Sequence, residues 1–422
     1  MNQGDNMISE TTHNNKNLFF LLVSCFFVFL FPSSINGTII DNMFIIRNTL
    51  AGVIVFVAVR KWGISKKPFF WLVILIAWLT LLTITTSLLC VPNDFRIAFA
   101  SISAFLPVSI AWCITCDRAH LDYNTIRKIL MVISCGLIVW GWGLVFRIPI
   151  IYNFTRNWYS QLTETMFDNM ITLRGKPVMS FGTHSMAAYF IMYVFFYHCI
   201  VIKEQNGKID NYICLLLLFM LEVPLNTTTS ILSMAVMICL FIWAKNNHAT
   251  RMIVLTAILG IIGYYYYTGE LQSFVNGILN NPNAQKHGFY ARYSTSNYAG
   301  NIRMILDYCG VGFLRSDSEM FCMKDSGFIY ILTQGNVPAF IISYSLLFGF
   351  FKRNVVKYSH LCFFLFMIWE LISASTFTNV KMGFAHILTM YIINSICLAN
   401  NKSEERSYDC RESGQRRKEL QV

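Results

Sequence analysis

Apolar runs dominate the chain. Each is close to the roughly 20 residues that a helix needs to cross about 30 Å of hydrocarbon. They predict twelve transmembrane helices, at about 18–31, 41–59, 69–90, 96–115, 128–150, 185–202, 211–225, 229–244, 251–268, 327–351, 359–375 and 383–399. The two flanking Pro224-Leu225-Asn226-Thr227 are joined very tightly. The polar residues 1–16 precede the first run, Pro32-Ser33-Ser34 ends it, and no small-residue cleavage site follows. It therefore reads as a retained helix, not a signal peptide. Alternating runs of about ten residues, the mark of a membrane β-barrel, are missing. No sequence repeat or low-complexity tract is visible. The expected fold class is an all-α polytopic membrane protein.

Composition agrees. Of 422 residues, 55% are apolar and only 13% charged, too few charges to cover a soluble domain of this size. Phe, Tyr and Trp number 36, 20 and 9, and aromatic rings anchor helices at bilayer interfaces. The net charge of +11 suggests topology rather than nucleic acid, because the basic residues fall in alternate short loops. Those loops hold Arg60, Lys61, Lys66 and Lys67; Arg118, Arg127 and Lys128; Lys203 and Lys208; Lys245 and Arg251; and Lys352, Arg353 and Lys357. The positive-inside rule then puts them in the cytoplasm, together with residues 1–16 and a basic tail at 401–422. A membrane domain spans 17–400, with two long outer loops at about 151–184 and 269–326. Most of the thirteen cysteines sit inside apolar runs, where cysteine serves as a small hydrophobe. Cys113-Ile114-Thr115-Cys116 has redox spacing but lies at a helix end without a thioredoxin-like context. Cys309 and Cys322 share one outer loop and can pair in an oxidising compartment.

The outer loops carry arginine against the topological bias, which points to a task. Arg292 and Arg303 are eleven residues apart, about three helical turns. A helix over 292–306 would put both guanidiniums on one face, roughly 16 Å apart, with Ile302, Ile305 and Leu306 on its apolar side. Arginine suits a diphosphate because its planar fork grips two oxygens and stays charged. Lipid headgroups or surface ion pairs are the plainer use. Gly310 and Gly312 let the backbone approach a ligand, or simply turn the chain. Asp325 precedes the helix that opens near Gly327, so it either caps that helix or orients an arginine or takes a proton. Arg174 lies shortly before Phe181-Gly182-Thr183-His184, and a helix N-terminus suits an anion. His184 is a general base, an interface histidine or a helix cap. Glu222 and Glu370 are carboxylates within apolar runs, a costly placement that marks functional candidates. Thr227-Thr228-Thr229-Ser230 caps a helix or lines a polar cavity. No P-loop, Rossmann fingerprint, H-E-x-x-H or spaced Cys/His set occurs, so neither a cofactor nor a metal is expected.

The order Arg292, Gly310-Val311-Gly312, Asp325-Ser326-Gly327 and Gly335 resembles the bacterial O-antigen polymerase (Wzy) family, which is related to the O-antigen ligases. In the first outer loop, Arg174 and Gly182-Thr183-His184 resemble the family's arginine-and-glycine segment. Thr229-Ser230 falls where relatives open a helix with a small-polar motif, but Ile231 stands where they often have arginine. The resemblance implies a glycosyltransferase of the bacterial inner membrane. It would join oligosaccharide repeat units carried on undecaprenyl diphosphate, at the periplasmic face, during lipopolysaccharide biosynthesis. Arg174, Arg292 and Arg303 would then hold diphosphate, with Gly310 and Gly312 in the substrate site and either Asp325 or His184 as base. Membrane lipids surround it, and a chain-length regulator protein is a candidate partner. The alternatives are an O-antigen ligase, which relatives tend to mark with a loop histidine where this chain has only His287, and a flippase or other transporter of lipid-linked sugars.

Overall fold

The computed structural model describes residues 17–31, 42–89, 95–116, 119–159, 171–172, 175–181, 183–225, 227–238, 241, 310–314, 327–372 and 380–419. Among the described residues every regular element is helical, apart from one isolated bridge between Ile64 and Ile114. In chain order the helices are α1 (Asn17–Leu30), α2 (Asn42–Trp62), α3 (Lys66–Leu89), α4 (Phe95–Cys113), α5 (Tyr123–Val145) and α6 (Pro149–Tyr159). There follow α7 (His184–Gln205), α8 (Ile209–Leu225), α9 (Thr228–Met237), α10 (Gly327–Asn354), α11 (Ser359–Ile372) and α12 (Val380–Glu419). The expected span at 251–268 lies outside the described residues.

Among the described residues, five helices are long and apolar enough to cross a membrane: Lys66–Leu88, Tyr123–Val145, His184–Gln205, Tyr330–Asn354 and Val380–Ala399. Two of them, α7 and α12, are buried nearly all round and form the centre. By contrast, α3 and α5 are just as apolar yet mostly exposed. Leu88 is 79% exposed, Val132 73% and Phe56 67%, an outer surface that suits hydrocarbon and not water.

Both ends of the fifth span differ from the sequence reading. The span expected at 128–150 starts at Tyr123, because the Asp122 side chain caps it by accepting from the Thr125 amide at 3.2 Å. It ends at Val145, since Arg147 takes a left-handed φ of 51° and Pro149 opens α6. The outer loop expected from 151 thus begins as a helix. It folds back on α5, where Trp140 Nε1 donates to Thr155 Oγ1 at 2.8 Å and Ile151 packs against Gly143.

The basic loops gather at one end of the bundle. Lys61 Nζ bonds Asn17 at 2.7 Å, the Cys116 amide bonds Asn354 at 2.8 Å, and Lys357 pairs with Glu204 at 2.7 Å. Arg127 pairs with Asp210 there as well. Tyr358 also donates to Glu204, and burial together with that carboxylate pushes its phenol well above the usual tyrosine range.

Candidate functional site

At the opposite end, α10 is broken. Gly335 (φ −149°, ψ 22°) and Asn336 (φ 56°, ψ −160°) leave the helical region, and Pro338 stands in the first turn of the resumed helix. The break frees three carbonyls. The Val337 amide, which would bond Thr333 O, turns to Asn336 Oδ1 at 2.6 Å. Pro338 has no amide to offer Gln334 O. The loop around Gly310-Val311-Gly312 supplies the missing donors. The Val311 amide bonds Thr333 O at 2.9 Å, and the Gly312 amide bonds Gln334 O at 2.7 Å. Trp78 Nε1 of α3 donates to Gly335 O at 2.9 Å. Backbone polar groups inside a membrane must be satisfied by protein, and here they are.

Both loop glycines are required by space as well as conformation. Gly310 has φ 105°, and an added Cβ would stand 2.6 Å from Gln334 O. Gly312 has φ 66°, and its Cβ would stand 2.4 Å from both Leu79 O and the Thr83 amide. Thr83 Oγ1 then receives the Phe313 amide at 2.8 Å, which ties the loop to α3. Of the two uses open to these glycines, the close approach is to the protein's own helices.

Buried polar groups lie on α10 and on other helices. Glu370 of α11 is fully buried and accepts from the Tyr344 hydroxyl at 2.9 Å. Its carboxylate lies against the start of α10: a Cβ on Gly327 would come within 1.6 Å of Oε2. Gln334 donates to Tyr330 at 3.0 Å, and its buried Oε1 has no hydrogen-bond partner among the described residues. A second carboxylate, Glu222, lies near the end of α8 away from Asp210. It accepts from the hydroxyls of Thr227, at 3.1 Å, and Ser230. Its Oε1 is buried without a partner among the described residues. Ser230 thus serves a buried carboxylate, a more specific task than capping α9.

A cationic patch completes this end. Lys381, at the start of α12, is fully buried and donates to Val28 O and Ser180 O, both at 3.3 Å. Its ammonium lies 4.8 Å from the centre of the Phe181 ring. Arg47 of α2 is also buried, only 3% exposed, and its Nε donates to Asn48 Oδ1 at 3.3 Å. Ser180 Oγ donates to Phe29 O at 2.6 Å and fixes the turn before α7. Thr183 caps α7 by accepting from the Met186 amide at 3.3 Å, so the half-buried His184 is its first residue and not its cap.

Of the residues singled out from sequence, Gly310, Gly312 and His184 stand at this end. Arg174, Arg292, Arg303, Asp325, Cys309 and Cys322 lie outside the described residues. Arg47 and Lys381 escaped the sequence reading, although the rule that flagged the outer arginines applies to them: each is a cation at the outer edge of an apolar run. Cys113 and Cys116 are buried at the basic end. Among the described residues no group of three His, Cys, Asp or Glu is placed to hold a metal ion. Compared with known proteins, the chain matches no family model, no curated protein and no solved structure.

Proposed function

We propose that the chain is an O-antigen polymerase of the bacterial inner membrane, with twelve spans and both ends cytoplasmic. One observation supports this most. Gly310-Val311-Gly312 and Thr183-His184, from the two long polar segments, are anchored at the same end of the bundle, opposite the basic loops. On the positive-inside rule that end is periplasmic, where no nucleotide is available and a sugar diphosphate is already activated.

The step balances without a cofactor. An acceptor sugar hydroxyl attacks the anomeric carbon of the growing chain, and the new glycosidic bond forms. The bond from that carbon to the diphosphate breaks, and the electron pair leaves on undecaprenyl diphosphate. Arg174, Arg292 and Arg303 stabilise that charge, and the hydroxyl proton passes to Asp325 or His184. Removing one such preorganised donor typically costs about 100- to 1,000-fold in rate. Arg292→Ala should therefore abolish long-chain O antigen while the protein still reaches the membrane. A normal ladder of chain lengths in that strain removes Arg292 from the site.

The broken α10 favours a second reading, transport of lipid-linked sugars, since transporters bind substrate at discontinuous helices. Here the freed carbonyls are occupied by the glycine loop. Purified protein given lipid-linked repeat units decides between the two: a polymerase lengthens them, and a transporter returns them unchanged.

A further inference from the structure

Glu222 stands in the last turn of α8 and is fully buried. Among the described residues no lysine, arginine or histidine pairs with it. A carboxylate in that position is costly unless something positive answers its charge. Its surroundings are oxygen. Oε2 accepts from Thr227 and Ser230, and those two hydroxyls also touch each other, so the three oxygens lie within 3.1 Å of one another. Three contacts need three hydrogens, and two hydroxyls supply two. Ser230 Oγ has a further acceptor in Thr227 O, at 3.0 Å. The other carboxylate oxygen, Oε1, is buried and meets no donor among the described residues.

The backbone adds negative character. The last four carbonyls of a helix have no donor within it, and α8 ends at Leu225. Pro224 has no amide, so the carbonyl of Met220 loses its helical donor too. Such carbonyls form the negative end of the helix dipole, which favours a cation. The next helix, α9, starts at Thr228, so the cluster sits where one helix stops and another begins. Helix C-terminal ends and unwound carbonyls are what coordinate Na+ inside membrane proteins.

We propose that Glu222, Thr227 and Ser230 form a binding site for Na+. The donor set decides the class. Carboxylate, hydroxyl and carbonyl oxygens are hard ligands and suit a hard cation. One carboxylate balances one positive charge, whereas Ca2+ gathers about six to eight oxygens and Mg2+ keeps several waters. Oxygens in mutual contact suit Na+ better than the larger K+. A proton on Oε2 would also balance the charge, but it would leave Oε1 unmet. A cation held between both carboxylate oxygens and the hydroxyls meets all of them. Thr227 is half-buried at the end of the bundle opposite the basic loops, which gives entry from outside. Bound there, Na+ ties the end of α8 to the start of α9. The inference does not depend on the polymerase reading.

The test measures binding, not polymerisation. Full-length protein in detergent is titrated with radioactive Na+ at fixed pH, with choline chloride holding the ionic strength. The wild type should bind saturably. Ser230→Ala should weaken binding about tenfold or more, and Glu222→Gln should remove it. Ser109→Ala is the control, because Ser109 is another buried serine, on α4, whose hydroxyl donates to Phe105 O of its own helix at 2.8 Å. Melting curves show which variants are folded, and Ser230→Ala carries the test if Glu222→Gln does not fold. Loss in Ser230→Ala with binding kept in Ser109→Ala supports the site. Wild-type affinity in either cluster variant overturns it, as does equal loss in Ser109→Ala. So does a wild type that binds no Na+, which would leave the charge of Glu222 to a proton.

Discussion

Gly312→Ala should cost roughly 2–5 kcal/mol of stability and leave little folded protein in the membrane. A left-handed alanine costs about 1–2 kcal/mol. Overpacking adds about 1–3 kcal/mol, and here the obstacles include the α3 backbone itself, at Leu79 O and the Thr83 amide. Backbone cannot step aside as a flexible side chain can. Gly310→Ala meets the backbone of Gln334 and Gly335 and should behave alike. Gly63 provides the comparison. Its φ is 82°, but an added Cβ would meet nothing within 4 Å, so Gly63→Ala should cost only the conformational share. Thermal unfolding of the purified variants in detergent measures the difference. Equal losses at Gly63 and Gly312 would mean that the loop is not wedged against α3.

Lys381→Met should lower polymer output at least tenfold and leave stability within about 2 kcal/mol of the parent. Two effects oppose each other. Burying an ammonium carries a desolvation penalty of several kcal/mol, which an apolar chain of similar volume removes. Against that, Val28 O and Ser180 O lose a donor, at about 1–3 kcal/mol each. A lysine kept only for structure would reveal itself by a large stability loss with residual activity in the surviving protein. A lysine that serves the reaction loses activity in protein that remains folded. Chain-length profiles and melting curves of the same preparation separate the two results. Normal polymer from Lys381→Met removes this cation from the account.

The membrane character was legible because hydrocarbon leaves a coarse signature: runs such as 69–90 and 185–202 need only length and apolarity. That signature does not tell centre from rim. The α3 and α7 sequences are both apolar all round, yet α7 is enclosed by other helices and α3 faces outward, a difference set by partners far along the chain. The break in α10 was half legible. Gly335 and Pro338 mark it, but what makes it tolerable is a pair of amides from Val311 and Gly312, over twenty residues earlier. Glu222 and Glu370 stood out because a carboxylate in an apolar run is costly. Arg47 and Lys381 did not, because a cation near the end of a span reads as snorkelling until its burial is known. The basic loops were the most informative local feature, since Lys61, Asn354 and Lys357 do meet at one end.

The central claim is that the chain polymerises lipid-linked repeat units. Lipopolysaccharide from a strain that lacks this chain, resolved on a gel beside the complemented strain, tests it most directly. The account predicts core bearing a single repeat unit in the deletion strain, and the full ladder restored by the intact chain. An unchanged ladder contradicts it, as does bare core with lipid-linked polymer accumulating, which is the pattern of a lost ligase.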